Sequence, residues 1–158
     1  MTGVRHIMEN RNVVILGIGN PDRGDDGVGP YLAERLTGRI DAQVINCEEI
    51  PESYTGVIRE LQPDTIVILD AVCMGQKPGT VAVLTWEEVS TAGYSTHNSS
   101  IGLLMKYLSR ETGAAVFLLG IQPGNTSYGS LITPAVRETA DILYSMIVGE
   151  DAKCSSVN

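Results

Sequence analysis

The residues of this chain best suited to chemistry are a few carboxylates and one imidazole. Asp25 and Asp26 lie side by side in the run Gly17-Ile18-Gly19-Asn20-Pro21-Asp22-Arg23-Gly24-Asp25-Asp26-Gly27-Val28-Gly29-Pro30. Asp70 follows the apolar run Thr65–Leu69, and His97 lies within Ser95-Thr96-His97-Asn98-Ser99-Ser100. Each has an ordinary structural alternative. The paired aspartates suit the positive end of a following helix. Asp70 suits a loop cap bonded to nearby amides, and His97 suits a helix start. Together they offer two carboxylates and one imidazole. A helix N-terminus disfavours imidazolium, so His97 is expected to stay neutral near pH 7, the form that binds metal. Mixed oxygen and nitrogen donors suit Zn, Ni, Fe or Mn, and fewer than four protein ligands leave positions open for substrate.

The counts narrow this further. The chain has two histidines, His6 and His97, and three cysteines, Cys47, Cys73 and Cys154. Three-histidine and four-cysteine zinc sites cannot be built within one chain, and the helical H-E-x-x-H pattern is absent. His6 lies in a polar tail and reads as inert. Cys47 and Cys73 read as buried small hydrophobes, Glu48 and Glu49 as a solvated rim, and Trp86 as packing or rim. Gly17-x-Gly19 after a strand, with Glu48 ending the next, suggests a dinucleotide fingerprint but fails in detail. The third glycine would fall at Asp22, and Asp22, Asp25 and Asp26 would face a pyrophosphate. Serine chemistry lacks a G-x-S-x-G elbow.

The elements that must carry these residues alternate in type. Short β-branched runs at Asn12–Gly17, Ala42–Cys47, Thr65–Leu69 and Ala115–Leu119 read as strands buried on both faces, with a fifth at Thr80–Leu84. Between them, Val28/Leu32/Leu36, Val57/Ile58/Leu61, Ile101/Leu104/Met105/Leu108 and Val136/Ala140/Leu143/Ile147 have helical spacing. Thr133-Pro134 opens the last as cap and first residue. This alternation predicts an α/β three-layer sandwich, a mostly parallel sheet with helices on both faces. Functional residues are then expected just past the C-terminal ends of the strands, where the two aspartate sites fall.

The 158 residues predict a single domain spanning 1–158, with 1–11 and 151–158 as loose polar tails. A net charge of −8 with no basic stripe argues against nucleic acid as a partner. No apolar run reaches the ~18 residues of a membrane span, so no membrane is expected either. The N-terminus has no apolar leader, and three scattered cysteines suit a reducing compartment; the expected location is the cytoplasm.

Four motifs in this order resemble the hydrogenase maturation endopeptidases, which process the large subunit of nickel–iron hydrogenases. They are Gly19-Asn20-x-x-x-Gly24-Asp25-Asp26-Gly27-x-Gly29-Pro30, Leu69-Asp70-Ala71, Thr96-His97-Asn98 and Gly120-Ile121-Gln122-Pro123. The likeness runs from about Val13 to Ile147 and includes Ile58-Arg59-Glu60-Leu61 and Ala135-Val136. The Asp-Asp-Gly of the loop is similar to the hydrogenase-3 type, where other branches have Asp-Glu-Gly.

The resemblance implies a twisted five-stranded sheet between helices and an aspartyl-type endopeptidase. Its metal-contacting and catalytic side chains map to Asp26, Asp70 and His97. It implies a protein substrate, the hydrogenase large subunit precursor, whose C-terminal extension is removed after nickel insertion. Nickel is then expected as the cofactor, delivered in the substrate, with a surrogate divalent metal able to stand in. Asp26 or Asp70 would serve as general base. The Gly120–Pro123 turn would either offer backbone donors to the tail or be structural only. A different class of function uses the same residues: a non-catalytic nickel-sensing checkpoint that holds the precursor without cutting it.

Overall fold

The computed structural model describes residues 2–9, 12–96 and 101–149. β-branched runs flanked by glycine or proline form a sheet in the order β2-β1-β3-β6-β4, with a short β5 paired to β3 off this path. The strands are β1 (Val13–Ile18), β2 (Gln43–Glu48), β3 (Thr65–Cys73), β4 (Val81–Leu84), β5 (Ser95–Thr96) and β6 (Ala115–Ile121). β2, β1, β3 and β6 run parallel, whereas β4 pairs antiparallel with β6 and β5 antiparallel with β3. The α/β sandwich and its mostly parallel five-strand path are therefore as expected.

The helices are α1 (Thr2–Met8), α2 (Val28–Leu36), α3 (Thr55–Leu61), α4 (Trp86–Ala92), α5 (Ile101–Thr112) and α6 (Pro134–Val148). They divide the core in two. Ile58 of α3, Val89 of α4 and Met105 and Leu108 of α5 pack on one face of the sheet with Leu16, Ile68 and Leu118. Leu32 and Leu36 of α2 and Val136, Ala140 and Leu143 of α6 pack on the other with Ile15, Leu69 and Leu119.

Three expectations need correction. The N-terminal stretch is not a loose tail over 2–8: it forms α1, with Val4 and Ile7 buried beside α6. Second, β3 does not stop at Leu69 but runs on to Cys73, so Asp70 is a strand residue. Third, the helix α4 was not expected: Thr85 caps it, its hydroxyl accepting the Glu88 amide at 3.3 Å, and Trp86 at its start packs half-buried against the core, as expected of packing or rim. Residues 151–158 lie outside the described residues.

The strand order reverses between β1 and β3. From β1 the chain crosses by α2 to β2 on one side, then returns by α3 to β3 on the other. Such a reversal opens a crevice beyond the strand ends. Helix α2 closes tightly over it. A Cβ at Gly29 would lie 2.3 Å from both the Ile18 and the Leu69 carbonyl oxygens, so only glycine lets the helix start touch both strands.

Candidate active site

The loop after β1 builds the first wall of the crevice, and its two aspartates play different parts. Asp25 is fully buried and saturated. Its Oδ2 accepts the Gly124 and Asn125 amides at 2.7 and 3.0 Å, and its Oδ1 accepts the Thr133 amide at 2.7 Å. The Thr133 hydroxyl adds to these. Further ties run from the Gly24 amide to the Ser130 carbonyl and from the Gly129 amide to the Asp22 carbonyl. The loop after β1 and the loop after β6 are thus one pinned unit, and Asp25 has no lone pair left for chemistry.

Asp26, one residue on in the same 3-10 turn (Gly24–Gly27), is turned elsewhere. Its Oδ2 accepts the Asn20 amide at 2.9 Å, and Oδ1 has no hydrogen bond among the described residues. Asn20 in turn accepts the Asp22 amide on its side chain and the Arg23 amide on its carbonyl, which folds the loop back on itself. Gly19 makes room for this turn, with φ +143° and the Asp26 carbonyl oxygen where a Cβ would be.

Asp70 forms the second wall. The last β3 residue paired with β1 is Leu69, so Asp70 is the first without a neighbour on that side, while on the other it pairs with Gly120. It is fully buried, and neither carboxylate oxygen has a hydrogen-bond partner among the described residues. Burial pushes its pKa well above the usual carboxylate range. The nearby charge of Asp26 pushes the same way, and the Ala71 amide opposes without forming a well-shaped bond. A buried carboxyl without partners is costly to hold. A cation beside Asp26 and Asp70 would offset that cost. Asp26 at the cavity and Asp70 beneath it are the two described carboxylates that could serve a cation here.

A cavity of about 190 Å³ opens here, lined by Arg23, Asp26, Ala71, Cys73, Ser95 and Thr126. A larger hollow of about 440 Å³ lies at the opposite end of the sheet around Val13 and Ile40. It contains no carboxylate pair and no orphaned buried group, so the chemistry selects the smaller one. No cluster of three metal-ligating side chains occurs among the described residues. His97 lies outside them; the chain approaches position 97 from β5, whose Thr96 pairs with Val72, two residues beyond Asp70.

Other expectations sort cleanly. Cys47 is buried, and that burial pushes its thiol up to about 12. Cys73 is not buried: it is exposed at the cavity, because β3 outruns β1. Glu48 and Glu49 are exposed, as expected of a rim. In the Gly120–Pro123 segment Pro123 lines the cavity and Gln122 is spent on the fold. The Gln122 amide donates to Thr80, its carbonyl accepts the Gly79 amide, and its side-chain oxygen accepts the Met74 amide at 2.6 Å.

Beyond the geometry of the crevice, the chain as a whole is similar to known proteins. The family model for hydrogenase maturation protease (HycI) matches residues 28–150. The hydrogenase 3 maturation protease of Escherichia coli strain K12 is 32% identical over 139 residues, 86% of this chain and 88% of its own. The chain belongs to the hydrogenase maturation protease family. It is accordingly a peptidase.

The fold agrees across this family. The crystal structure of the [NiFe] hydrogenase maturation protease HycI from Thermococcus kodakarensis KOD1 superposes with a TM-score of 0.85 at 32% identity. That match covers 93% of this chain and 97% of the other. HybD from E. coli shares the fold at a TM-score of 0.69 and 22% identity, over 87% of this chain and 90% of its own. The family match contains Asp70 and position 97 and begins two residues after Asp26.

Proposed function

We propose that this hydrogenase maturation protease removes the C-terminal extension of the nickel-loaded large subunit precursor of a nickel–iron hydrogenase. The observation that carries this reading is Asp70: a fully buried carboxyl with no partner on either oxygen among the described residues, in a peptidase, beside Asp26. Such a group is unfavourable until a cation reaches it. In this reading the cation is the substrate's own nickel, which makes cutting conditional on its insertion.

Nickel held by the precursor supplies Lewis-acid polarisation at the scissile carbonyl. The chain's residues do the rest. Asp26 lines the cavity, with one oxygen anchored by the Asn20 amide and the other free to take a proton from water. Asp70, which does not reach the surface, serves as the buried counter-charge. His97, which lies outside the described residues, is assigned to the same set as the nitrogen donor that the family resemblance implies. The Asp25 staple keeps both loops in place during turnover.

The test is incubation of purified nickel-loaded precursor with this protein, followed by mass measurement, with nickel-free precursor as control. Loss of a C-terminal segment from the loaded form alone is expected. A stable complex without mass loss would replace this reading with the checkpoint, and loaded precursor that is neither shortened nor bound would overturn both.

A further inference from the structure

We propose that Arg23 is a specificity residue that grips a carboxylate on the segment being removed. This rests on the proposed function above and adds the chemistry of the segment that the cleft selects. Arg23 lies in the loop between Asn20 and Asp26 and lines the same cavity as Asp26. It is the single cation among the described lining residues.

Its stem is fixed and its head is free. Nε donates to the Thr126 carbonyl at 3.3 Å, and the Arg23 amide donates to Asn20. The terminal Nη1 and Nη2 make no hydrogen bond or ion pair among the described residues, although Asp22, Asp25 and Asp26 are its near neighbours in sequence. Asp25 is saturated by backbone amides and Thr133, and Asp26 is held by Asn20, so neither neutralises the guanidinium. The residue as a whole is half-buried. A planar fork with unused donors matches a carboxylate in geometry and charge.

The cavity therefore has polarity. The loop after β1 brings both signs of charge to it, the Asp26 carboxylate and the Arg23 guanidinium, with Asp70 buried beneath. A peptide lying across it is oriented with its anionic group toward Arg23 and the metal-bearing side toward Asp26. The volume of about 190 Å³ admits a short stretch of chain, so the carboxylate belongs close to the bond that is cut. It is either an acidic side chain of the extension or the extension's own C-terminal carboxylate. Both present the same chemistry to a guanidinium.

The experiment measures trimming of nickel-loaded precursor by the wild type and by Arg23→Met, Arg23→Lys and Arg23→Glu. Expected for Arg23→Met is a KM raised about tenfold with kcat changed less than about twofold, as for loss of one charge-assisted hydrogen bond. Arg23→Lys recovers part of the loss, and Arg23→Glu is worse than Arg23→Met. Two altered precursors identify the source: one with the acidic residues of its extension made amides, one lengthened by two glycines to displace the terminal carboxylate. The altered precursor that loses its carboxylate contact shows a raised KM with the wild type and no further penalty with Arg23→Met. A basic residue at the identified side-chain position restores trimming by Arg23→Glu.

The opposite results are equally readable. Equal KM for wild type and Arg23→Met overturns the inference while leaving the proposed function standing. A loss that is the same for Arg23→Lys and Arg23→Met and indifferent to both precursor changes assigns Arg23 to holding Thr126 and overturns it too. Failure of the wild type to shorten any loaded precursor overturns the proposed function, and this inference with it.

Discussion

Asp25 grips Thr133, 108 residues further along the chain, through both its backbone amide at 2.7 Å and its hydroxyl. The same carboxylate holds the Gly124 and Asn125 amides, so one buried side chain closes one wall of the cleft. Asp25→Ala strands three amides and a hydroxyl. Each buried donor left unpaired costs ~1–3 kcal/mol. A total loss of at least about 3 kcal/mol is expected, or roughly a 10 °C drop in Tm for a chain of this size. Thermal unfolding followed by circular dichroism checks this, and a Tm within about 2 °C of the wild type contradicts the staple.

Asp26 should behave in the reverse way. It contributes one hydrogen bond to the loop, from Asn20 to Oδ2, and presents its other oxygen to the cavity. Asp26→Asn keeps an oxygen for Asn20 and removes the base. Precursor trimming should fall about a hundredfold or more, with Tm nearly unchanged. A variant that trims normally removes Asp26 from the reaction.

Asp70 links stability to pH. Its carboxyl binds a proton more tightly in the folded chain than in the unfolded one, because burial and the Asp26 charge both disfavour the anion. Such a group supports folding fully below the unfolded value of about 3.9, and the support is lost as pH rises toward the raised folded value. Asp70→Asn lacks this titration. It should unfold at a higher Tm than the wild type at neutral pH, with the gap shrinking as pH falls toward 4, while trimming is lost. Parallel melting curves across that range decide it. A gap that is flat with pH, or a variant less stable at pH 7, shows that the carboxyl is not held under strain.

Much of this was legible in the sequence because the parallel strands are buried on both faces and so read as unbroken apolar runs. What escaped did so for identifiable reasons. Helix α1 buries only Val4 and Ile7, one turn apart, too short a stretch for periodicity to stand out from its polar neighbours. In α4 only Val89 is buried, and the usable signal was local: Thr85 three residues before Glu88 is a capping pattern. Asp70 interrupts the apolar run of β3, so the strand seemed to end there, yet pairing with β6 carries it through Ala71. Asp25 and Asp26 are indistinguishable as letters. Their different roles depend on a loop about a hundred residues away that donates to one and not the other.

The continuation of β3 has a chemical consequence at its end. Cys73 is exposed at the cavity, whereas Cys47 is buried with its thiol pushed up to about 12. Thiolate is the reactive form and access is the second requirement, so the two should differ sharply. Iodoacetamide at pH 7.5 should label the peptide containing Cys73 within minutes and leave that containing Cys47 unlabelled until denaturant is added. Saturating nickel-loaded precursor should slow labelling at Cys73. Peptide mass mapping reads both, and unprotected Cys73 in the presence of bound precursor would place the substrate elsewhere.

The N-terminal helix makes its own contribution to the fold. Ile7 is 5% exposed and packs in the same cluster as Leu36 and Leu143, on the sheet face covered by α2 and α6. Truncating a buried isoleucine to alanine typically costs ~2–5 kcal/mol, by lost burial and the cavity left behind. α1 has seven residues, of which Val4 and Ile7 are buried in the core, so the site can relax and Ile7→Ala should fall at the lower end, about 2 kcal/mol. His6, exposed on the same helix, provides the control, since His6→Ala removes no core contact. Urea titration of both variants separates them: Ile7→Ala should lower the midpoint clearly and His6→Ala should not. The cavity at Asp26 lies beyond the opposite ends of the strands, so trimming by folded Ile7→Ala at low temperature should match the wild type. Equal midpoints for the two variants would mean that α1 does not hold to the core in solution.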